Sequence, residues 1–128
     1  MQLMYKFLGI IPTPPPLKAN SLVYDLKARL DWGDPALTIV DVRDRSEFEF
    51  SHILGAIPLS MDELVPRALC NLEVTRDIYV YGETDEETAE AAAKLRTAGY
   101  QNVSELRGGV AAWQAVGYPV ESRVGCRV

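Results

Sequence analysis

The chain has 128 residues, a length that suits a single domain with its own hydrophobic core. Hydrophobic residues make up 48% and charged residues 24%, as in ordinary globular proteins, and no apolar run approaches the ~20 residues needed to span a bilayer. The net charge of -5, without clustered Lys or Arg, argues against nucleic acid or an anionic membrane as a partner.

Cysteine content and the first residues bear on the cellular location. Cys70 and Cys126 are the only cysteines, too few for a disulfide-rich secreted scaffold and without the spacing of a zinc site. Because the N-terminus has no signal-peptide cleavage pattern either, we expect a reducing, cytoplasmic location. Separately, we expect no cofactor and no metal.

An apolar segment and a proline run precede the first predicted element. Residues 1–19 are interpreted as an N-terminal arm in which Leu3–Ile11 leads into Pro12–Pro16, and consecutive prolines favour polyproline II. The arm is expected either to pack on the domain or on a neighbour, or to be a disordered tail. Residues 1–16 are therefore a candidate for self-association.

Helical and strand patterns then alternate along the chain. Ser21 is expected to cap a first helix, to about Asp31, whose core face carries Leu22, Leu26 and Leu30 and which Gly33 ends. The elements expected next are a strand at Leu37–Val42, at most one helical turn at Ser46–Phe50, a turn and a short strand within 51–59, and a helix at Met61–Leu69 that Pro66 should kink or restart.

The clearest pattern is the strand, loop and helix that begin at Asp77. Ile78–Tyr81 is β-branched and aromatic, as in a buried strand, and Gly82 marks the turn after it. Thr84 and Glu87 have the spacing of a capping box, which predicts a helix through Ala98. The elements expected after it are a helix stop at Gly99, a strand at Val103–Leu106, a turn at Arg107–Gly109, a helix at Val110–Val116 and a closing segment at Tyr118–Val120.

Alternating strands and helices predict an α/β fold with a parallel sheet that has helices on both faces. Such folds place ligands or substrates at the carboxyl ends of their strands. The loop Gly82–Thr88 stands between a strand end and a helix start, and it is therefore the candidate site.

Several segments match a known family and come in the family's order. They are Asp41–Arg43 with Glu47–Phe48, Ser51–Ile57, Ile78–Tyr81, Leu106–Trp113 and Gly117–Val120. Together they resemble the rhodanese-like domain, the sulfurtransferase module, which we place at residues 20–121 with a C-terminal tail at 122–128. The resemblance implies a central, mostly parallel five-stranded sheet flanked by helices on both faces, and an active-site loop directly after Tyr81.

The resemblance also indicates what the loop lacks. In active members of the family the loop opens with a cysteine, has a glycine three residues on, and ends in an arginine and a small hydroxyl residue. These positions fall on Gly82, Asp85, Glu87 and Thr88, and only Thr88 fits. With glycine at the cysteine position, no catalytic residue is expected.

Four acidic residues crowd the start of the predicted helix, and they are Glu83, Asp85, Glu86 and Glu87. Stabilisation of the helix N-terminus is the simplest explanation for them. We further hypothesise that one of their carboxylates accepts hydrogen bonds from the loop N–H groups that hold sulfur in active relatives.

Other positions of the family motifs are given structural roles. Asp41, Arg43 and Glu47 are interpreted as a buried, charge-paired network, and His52 as a hydrogen-bonding residue at a turn, as its family position suggests. Cys70 is expected to be a small buried hydrophobe. The remaining structural positions of the family motifs are Gly55, Gly108, Gly109 and Trp113.

The expected function is a binding or regulatory module that recognises an unidentified protein partner through the acidic loop and is inactive as a sulfurtransferase. One alternative is a sulfur carrier that uses Cys126, or a sulfurtransferase that works with a partner's cysteine. The other is a cation-binding or structural module in which Glu83, Asp85 and Glu86 hold Mg²⁺ or Ca²⁺.

Overall fold

The computed structural model describes residues 17–33 and 36–123. Within them, five strands form one sheet and two short strands form a separate antiparallel pair. The sheet strands are β1 (Asn20–Ser21), β2 (Leu37–Asp41), β4 (Ile57–Pro58), β5 (Asp77–Tyr81) and β6 (Asn102–Leu106), and the separate pair is β3 (His52–Ile53) with β7 (Val120–Glu121).

The strand order across the sheet is β1-β6-β5-β2-β4, and every neighbouring pair is parallel. The predicted five-stranded α/β architecture is therefore confirmed. The carboxyl ends of the strands meet along one edge of the sheet, and this edge carries the candidate loop.

Helices cover both faces of the sheet because its central strand is apolar on both sides. In β5, Ile78 and Val80 face one core while Tyr79 and Tyr81 face the other, and all four side chains are buried. The helices are α1 (Val23–Asp31), α2 (Arg45–Phe50), α3 (Leu64–Asn71), α4 (Asp85–Thr97) and α5 (Gly109–Ala115), with a 3₁₀ turn at Met61–Glu63.

Two hydrophobic cores result, one on each face of the sheet. The first contains Ile78 and Val80 with Leu64 and Ala68 of α3 and with Ala91, Ala92 and Leu95 of α4. The second contains Tyr79 and Tyr81 with Leu26 of α1, Phe48 of α2 and Trp113 of α5.

The start of α1 differs from the prediction. Ser21 belongs to β1, where its hydroxyl pairs with the Ser104 hydroxyl across the sheet, so it does not cap the helix. Leu22 occupies the N-cap position, and its N–H donates to the Asp25 carboxylate at 2.8 Å. Leu22 is consequently exposed rather than part of the core face, whereas Leu26 is fully buried as expected.

The helix near Pro66 is interrupted and restarts, as predicted. The 3₁₀ turn ends at Glu63 and α3 begins at Leu64, so Pro66 lies in the first helical turn, where its missing N–H costs no intrahelical bond. Cys70 of the same helix is exposed, and the expectation that it is buried is wrong. The buried face of α3 is formed by Leu64 and Ala68 instead.

Residues 1–16 of the predicted arm, which was placed at 1–19, and the thiol of Cys126 lie outside the described residues. Leu17, where the description begins, is partly buried against the core that contains Trp113. In the part of the chain that is described, no helix is both long and apolar enough to cross a membrane.

Candidate functional site

The loop Gly82–Thr88 connects β5 to α4 at the carboxyl edge of the sheet. The N–H of Val42, just after β2, donates to the Tyr81 carbonyl at 3.0 Å, which ties the loop entrance to the neighbouring strand. On the other side, a Cβ added at Gly109 would lie 3.1 Å from the Gly82 carbonyl oxygen. The loop therefore begins between the end of β2 and the start of α5, where the lack of a Cβ at Gly109 makes room for the Gly82 carbonyl.

Two threonines fix the backbone of the loop. Thr84 is the N-cap of α4, and its Oγ1 accepts the Glu87 N–H at 3.1 Å, as the capping pattern predicts. The buried Thr88 accepts the Gly82 N–H on its Oγ1 at 2.8 Å and donates its hydroxyl to the Thr84 carbonyl at 3.0 Å. The end of β5 and the first turn of α4 are thereby held together.

The Glu87 carboxylate occupies the space beside Gly82. Its Oε1 accepts the Glu83 N–H at 2.6 Å, so the predicted reciprocal bond to the Thr84 N–H is wrong by one residue. A Cβ added at Gly82 would lie 2.6 Å from Glu87 Oε1 and 2.9 Å from its Cγ. Any side chain at position 82 must displace this carboxylate, and a thiolate there would face a like charge.

The start of a helix after a parallel strand offers N–H groups to an anion. In this loop, four such groups donate to oxygens of the loop itself, and they belong to Gly82, Glu83, Glu87 and Thr88. The hydrogens of these four N–H groups are already used within the loop, so these groups are not available to bind an external anion.

Two further carboxylates of the loop are paired within the fold. Glu83 Oε1 lies 3.7 Å from Arg43 Nη1, although the Glu83 side chain remains 62% exposed. Asp85 accepts the Gly108 N–H at 2.9 Å and lies 3.5 Å from Arg107 Nη2. The sequence analysis missed Arg107 as a contact of the loop, because the two residues are distant in sequence and meet only through the pairing of β5 with β6.

The carboxylates of the loop do not converge on one point. Glu83 pairs with Arg43, Asp85 pairs with the turn after β6, and Glu86 is exposed. Among residues 17–33 and 36–123, no group of three His, Cys, Asp or Glu side chains is placed to hold a metal ion. The geometry gives the alternative of a cation site no support.

A buried ion pair lies beside the loop. Asp41, fully buried at the end of β2, accepts Arg43 Nη2 at 2.8 Å and Nε at 3.1 Å. Arg43 Nη2 also donates to the Ser51 carbonyl at 2.5 Å. Burial acts to lower the pKa of Arg43, but the hydrogen bonds and charge of Asp41 outweigh it, so the pKa lies above its ordinary value. Glu47, predicted as a third member of this network, is exposed on α2, and that part of the prediction is wrong.

Tyr81 extends this network beneath the loop. Its hydroxyl accepts the Ile53 N–H at 3.1 Å, and the Arg43 guanidinium lies 5.6 Å from the centre of its ring. Burial raises the pKa of Tyr81 and the charge of Asp41 raises it further, so the phenol stays protonated. The sequence analysis missed this contact because an aromatic residue in a strand is ordinarily a core residue.

His52 joins α2, β3 and β7. It is buried and stacks on the Phe48 ring, with 3.7 Å between the ring centres. Its Nδ1 lies 2.7 Å from the Phe48 carbonyl oxygen, and its Nε2 lies 3.1 Å from a Glu121 carboxylate oxygen. The Gly55 N–H donates to the same carboxylate oxygen at 3.2 Å.

The carboxylate of Glu121 predicts a pH dependence of stability. The Gly55 N–H, and after it His52, hold the pKa of Glu121 below its ordinary value of 4.5. A pKa depressed in the folded state contributes stability above the unfolded-state pKa, and this contribution is lost as the pH falls through the folded-state pKa. The Tm difference between wild type and Glu121→Gln should therefore shrink below about pH 4.5. A difference that stays constant down to about pH 3 would contradict this assignment.

Trp113 fixes α5 against the sheet. It is fully buried, its Nε1 donates to the Pro119 carbonyl at 2.7 Å, and its ring meets the edge of Tyr118 at 5.0 Å between centres. Gly108, before α5, and Gly109, its first residue, have positive φ angles of +79° and +53°, which favour glycine. These contacts place the Gly108 N–H where Asp85 of the loop accepts it.

The family model of the rhodanese-like domain matches residues 22–116 of this chain. Among solved structures, the crystal structure of the Alr3790 protein from Anabaena sp. shares 53% sequence identity with it at a TM-score of 0.80. That similarity covers 81% of this chain and 93% of the Anabaena chain.

Curated relatives include proteins named as sulfurtransferases. The "probable adenylyltransferase/sulfurtransferase MoeZ" of Mycobacterium tuberculosis is 30% identical over 117 residues, which cover 84% of this chain and 28% of that protein. A "sulfurtransferase" of Allochromatium vinosum is 33% identical over 82 residues, which cover 64% of this chain and 76% of that protein. This chain thus spans less than a third of the length of MoeZ. Because the family model matches most of the length of this chain, the chain belongs to the family of rhodanese-like domains.

Proposed function

We propose that this domain does not transfer sulfur through its own loop and instead serves as a binding or regulatory module for a protein partner. Sulfur transfer of the rhodanese type needs a thiolate that accepts a sulfane sulfur as a persulfide and passes it to a nucleophile. Gly82 has no side chain for this step, and loss of a covalent nucleophile can cost on the order of 10⁶ in rate.

The position of Glu87 carries this proposal. Its carboxylate lies where a side chain at position 82 would extend and accepts the Glu83 N–H at 2.6 Å. An internal anion thus takes a place that an anionic substrate or a persulfide would need. The loop is closed by its own side chain.

The charge around the loop supports the same proposal. A reactive thiolate is favoured by aligned N–H groups and a nearby cation. Here two arginines lie beside the loop, but Arg43 is already bound to Asp41 and Arg107 is paired with Asp85. Glu83 and Glu86 add exposed negative charge, which repels an anion such as thiosulfate.

The same charges indicate the chemistry of the partner. The Glu83 side chain is 62% exposed and Glu86 is exposed as well, so a partner surface with Lys or Arg would meet complementary charge. The low cysteine content supports a cytoplasmic setting. The names of the curated relatives support a sulfur-transfer system as the setting in which such a partner acts.

The double substitution Gly82→Cys with Glu87→Arg tests whether Glu87 closes the loop. With the carboxylate removed, the new thiolate can attack the sulfane sulfur of thiosulfate, release sulfite and retain one sulfur atom as a persulfide. Gly82→Cys alone is expected to retain less sulfur, because Glu87 crowds and repels the thiolate. Intact-mass spectrometry after incubation with thiosulfate measures the difference.

Wild type is the matched control, since it carries the same native cysteines, Cys70 and Cys126. Equal loading of the single and double variants would refute the role given to Glu87. A persulfide on the wild-type protein that Cys126→Ser removes would favour the sulfur-carrier alternative over the inactive module.

A further inference from the structure

An apolar groove lies between α3 and α4, apart from the loop. It is lined by Val65 of α3 and by Ala93, Thr97 and Ala98 of α4, and it has a volume of about 430 Å³. Leu69 lies one turn beyond Val65 on the same side of α3 and is 52% exposed. In the described part of the chain this α3–α4 groove is open, which leaves an apolar surface available to a partner.

One acid and one base border the groove, and they are Glu90 and Lys94, one turn apart on α4. Lys94 Nζ lies 3.7 Å from Glu90 Oε2, and the Lys94 and Glu90 side chains are 46% and 63% exposed. This contact uses only part of the donors of the ammonium and of the acceptor sites of the carboxylate, so each group can take a second partner. The groove with its rim therefore carries no net charge, in a chain whose net charge is -5.

The arrangement of these two charges favours a second copy of this chain as the occupant. A two-fold axis that passes midway between Glu90 and Lys94 sets the α4 helices of two copies antiparallel and places Glu90 of each copy opposite Lys94 of the other. Acid and base then alternate around the axis. A partner surface of a single charge sign would instead place either Glu90 or Lys94 against a like charge.

The apolar residues of this face are also suited to a two-fold contact. In such an interface a projecting group of one copy meets a recess of the other, and the same contact is made twice. The exposed Leu69 side chain is the projecting group, while the short side chains of Ala93, Thr97 and Ala98 form the recess. The carboxyl edge of the sheet is less suited to self-association, because the exposed acids of its loop would face like charges.

We propose that this chain forms a two-fold dimer through the α3–α4 groove. Two adjacent helices, of which α4 has 13 residues, present a face of about 20 Å by 20 Å, or roughly 400 Å² on each copy. The total of about 800 Å² lies at the small end of protein interfaces, where association is weak. We therefore expect a dissociation constant on the order of 10–100 μM, with the carboxyl edge of the sheet outside the interface.

Sedimentation equilibrium of the full chain over a range of concentrations tests the proposal. The average mass of wild type should rise from that of one chain toward that of two. Glu90→Lys and Lys94→Glu, each alone, place like charges across the axis and should weaken association at least ~10-fold. The double reversal, Glu90→Lys with Lys94→Glu, restores opposite charges and should restore the dimer. Glu63→Lys is the matched control, because Glu63 also belongs to an exposed i,i+4 ion pair but does not line the groove.

Three results would overturn the proposal, provided that thermal unfolding followed by circular dichroism shows each variant to be folded. Wild type that stays monomeric throughout the concentration range would show that no dimer forms. Association that neither single reversal weakens would place the interface elsewhere on the chain. A double reversal that stays as weakly associated as the single variants would contradict the antiparallel pairing of Glu90 with Lys94.

Discussion

Replacing Trp113 by alanine is expected to lower the free energy of unfolding by about 3–5 kcal/mol. The side chain is fully buried in the core formed with α1 and α2, and its removal leaves a cavity that the sheet cannot close. The Pro119 carbonyl also loses its hydrogen bond from the indole. Because domains of this size are stable by only about 5–15 kcal/mol, a large part of the total would be lost. Urea denaturation followed by circular dichroism measures the change.

Trp32→Ala is the matched control for this prediction. Trp32 and Trp113 are the two tryptophans of the chain, and Trp32 is 88% exposed. Its replacement should change the free energy of unfolding by no more than about 0.5 kcal/mol. Trp113→Phe retains a ring without the N–H, and its free energy of unfolding should lie between those of Trp113→Ala and Trp32→Ala. Similar costs for both alanine variants would contradict the role given to Trp113.

Asp41→Ala is expected to cost about 3–5 kcal/mol of stability, because it leaves the buried Arg43 without its counter-charge. Asp41 is fully buried and Arg43 is 5% exposed, so water cannot replace the lost carboxylate. The same measurement of urea denaturation gives the cost. Arg43→Met in the Asp41→Ala background should restore part of it, since the unpaired charge is then absent.

An exposed ion pair provides the comparison for Asp41 and Arg43. Glu63 Oε1 lies 2.6 Å from Arg67 Nη1, and the side chains of Glu63 and Arg67 are 48% and 56% exposed. Glu63→Ala should therefore cost no more than about 1 kcal/mol. Equal losses in the free energy of unfolding for Asp41→Ala and Glu63→Ala would contradict the importance given to the buried pair. If the effects of Arg43→Met and Asp41→Ala were simply additive, Asp41 and Arg43 would not be coupled as described.

Features determined by neighbouring residues could be predicted from the sequence. The N-cap at Thr84 and the left-handed Gly99 that follows the end of α4 depend on residues within one helical turn, and both lie where the pattern places them. The apolar character of Ile78–Tyr81 was sufficient to predict a strand buried on both faces. The order of elements, and with it the α/β fold, followed from the same local patterns.

Features determined by distant residues could not be predicted in this way. Ser21 has the side chain of a good N-cap, but its hydroxyl meets Ser104 across the sheet. The contact between Asp85 and Arg107 exists only because β5 and β6 are neighbours. The exposure of Cys70 depends on which side of α3 faces the sheet, and a short helix with apolar residues on several sides does not reveal this.

The candidate loop shows both cases. Its position, after the central strand and before a capped helix, was predictable from the sequence. The direction taken by the Glu87 side chain was not, because a capping box would turn it toward Thr84. In the structure it turns toward Glu83, and its carboxylate lies in the space beside Gly82.

The central claim is that this domain does not transfer sulfur through its own loop. The most direct test is to measure how fast the unmodified protein forms thiocyanate from thiosulfate and cyanide. We predict that thiocyanate forms at the rate of a protein-free control at every protein concentration. A rate that rises in proportion to the protein concentration and saturates with thiosulfate would contradict the proposed inactive binding module.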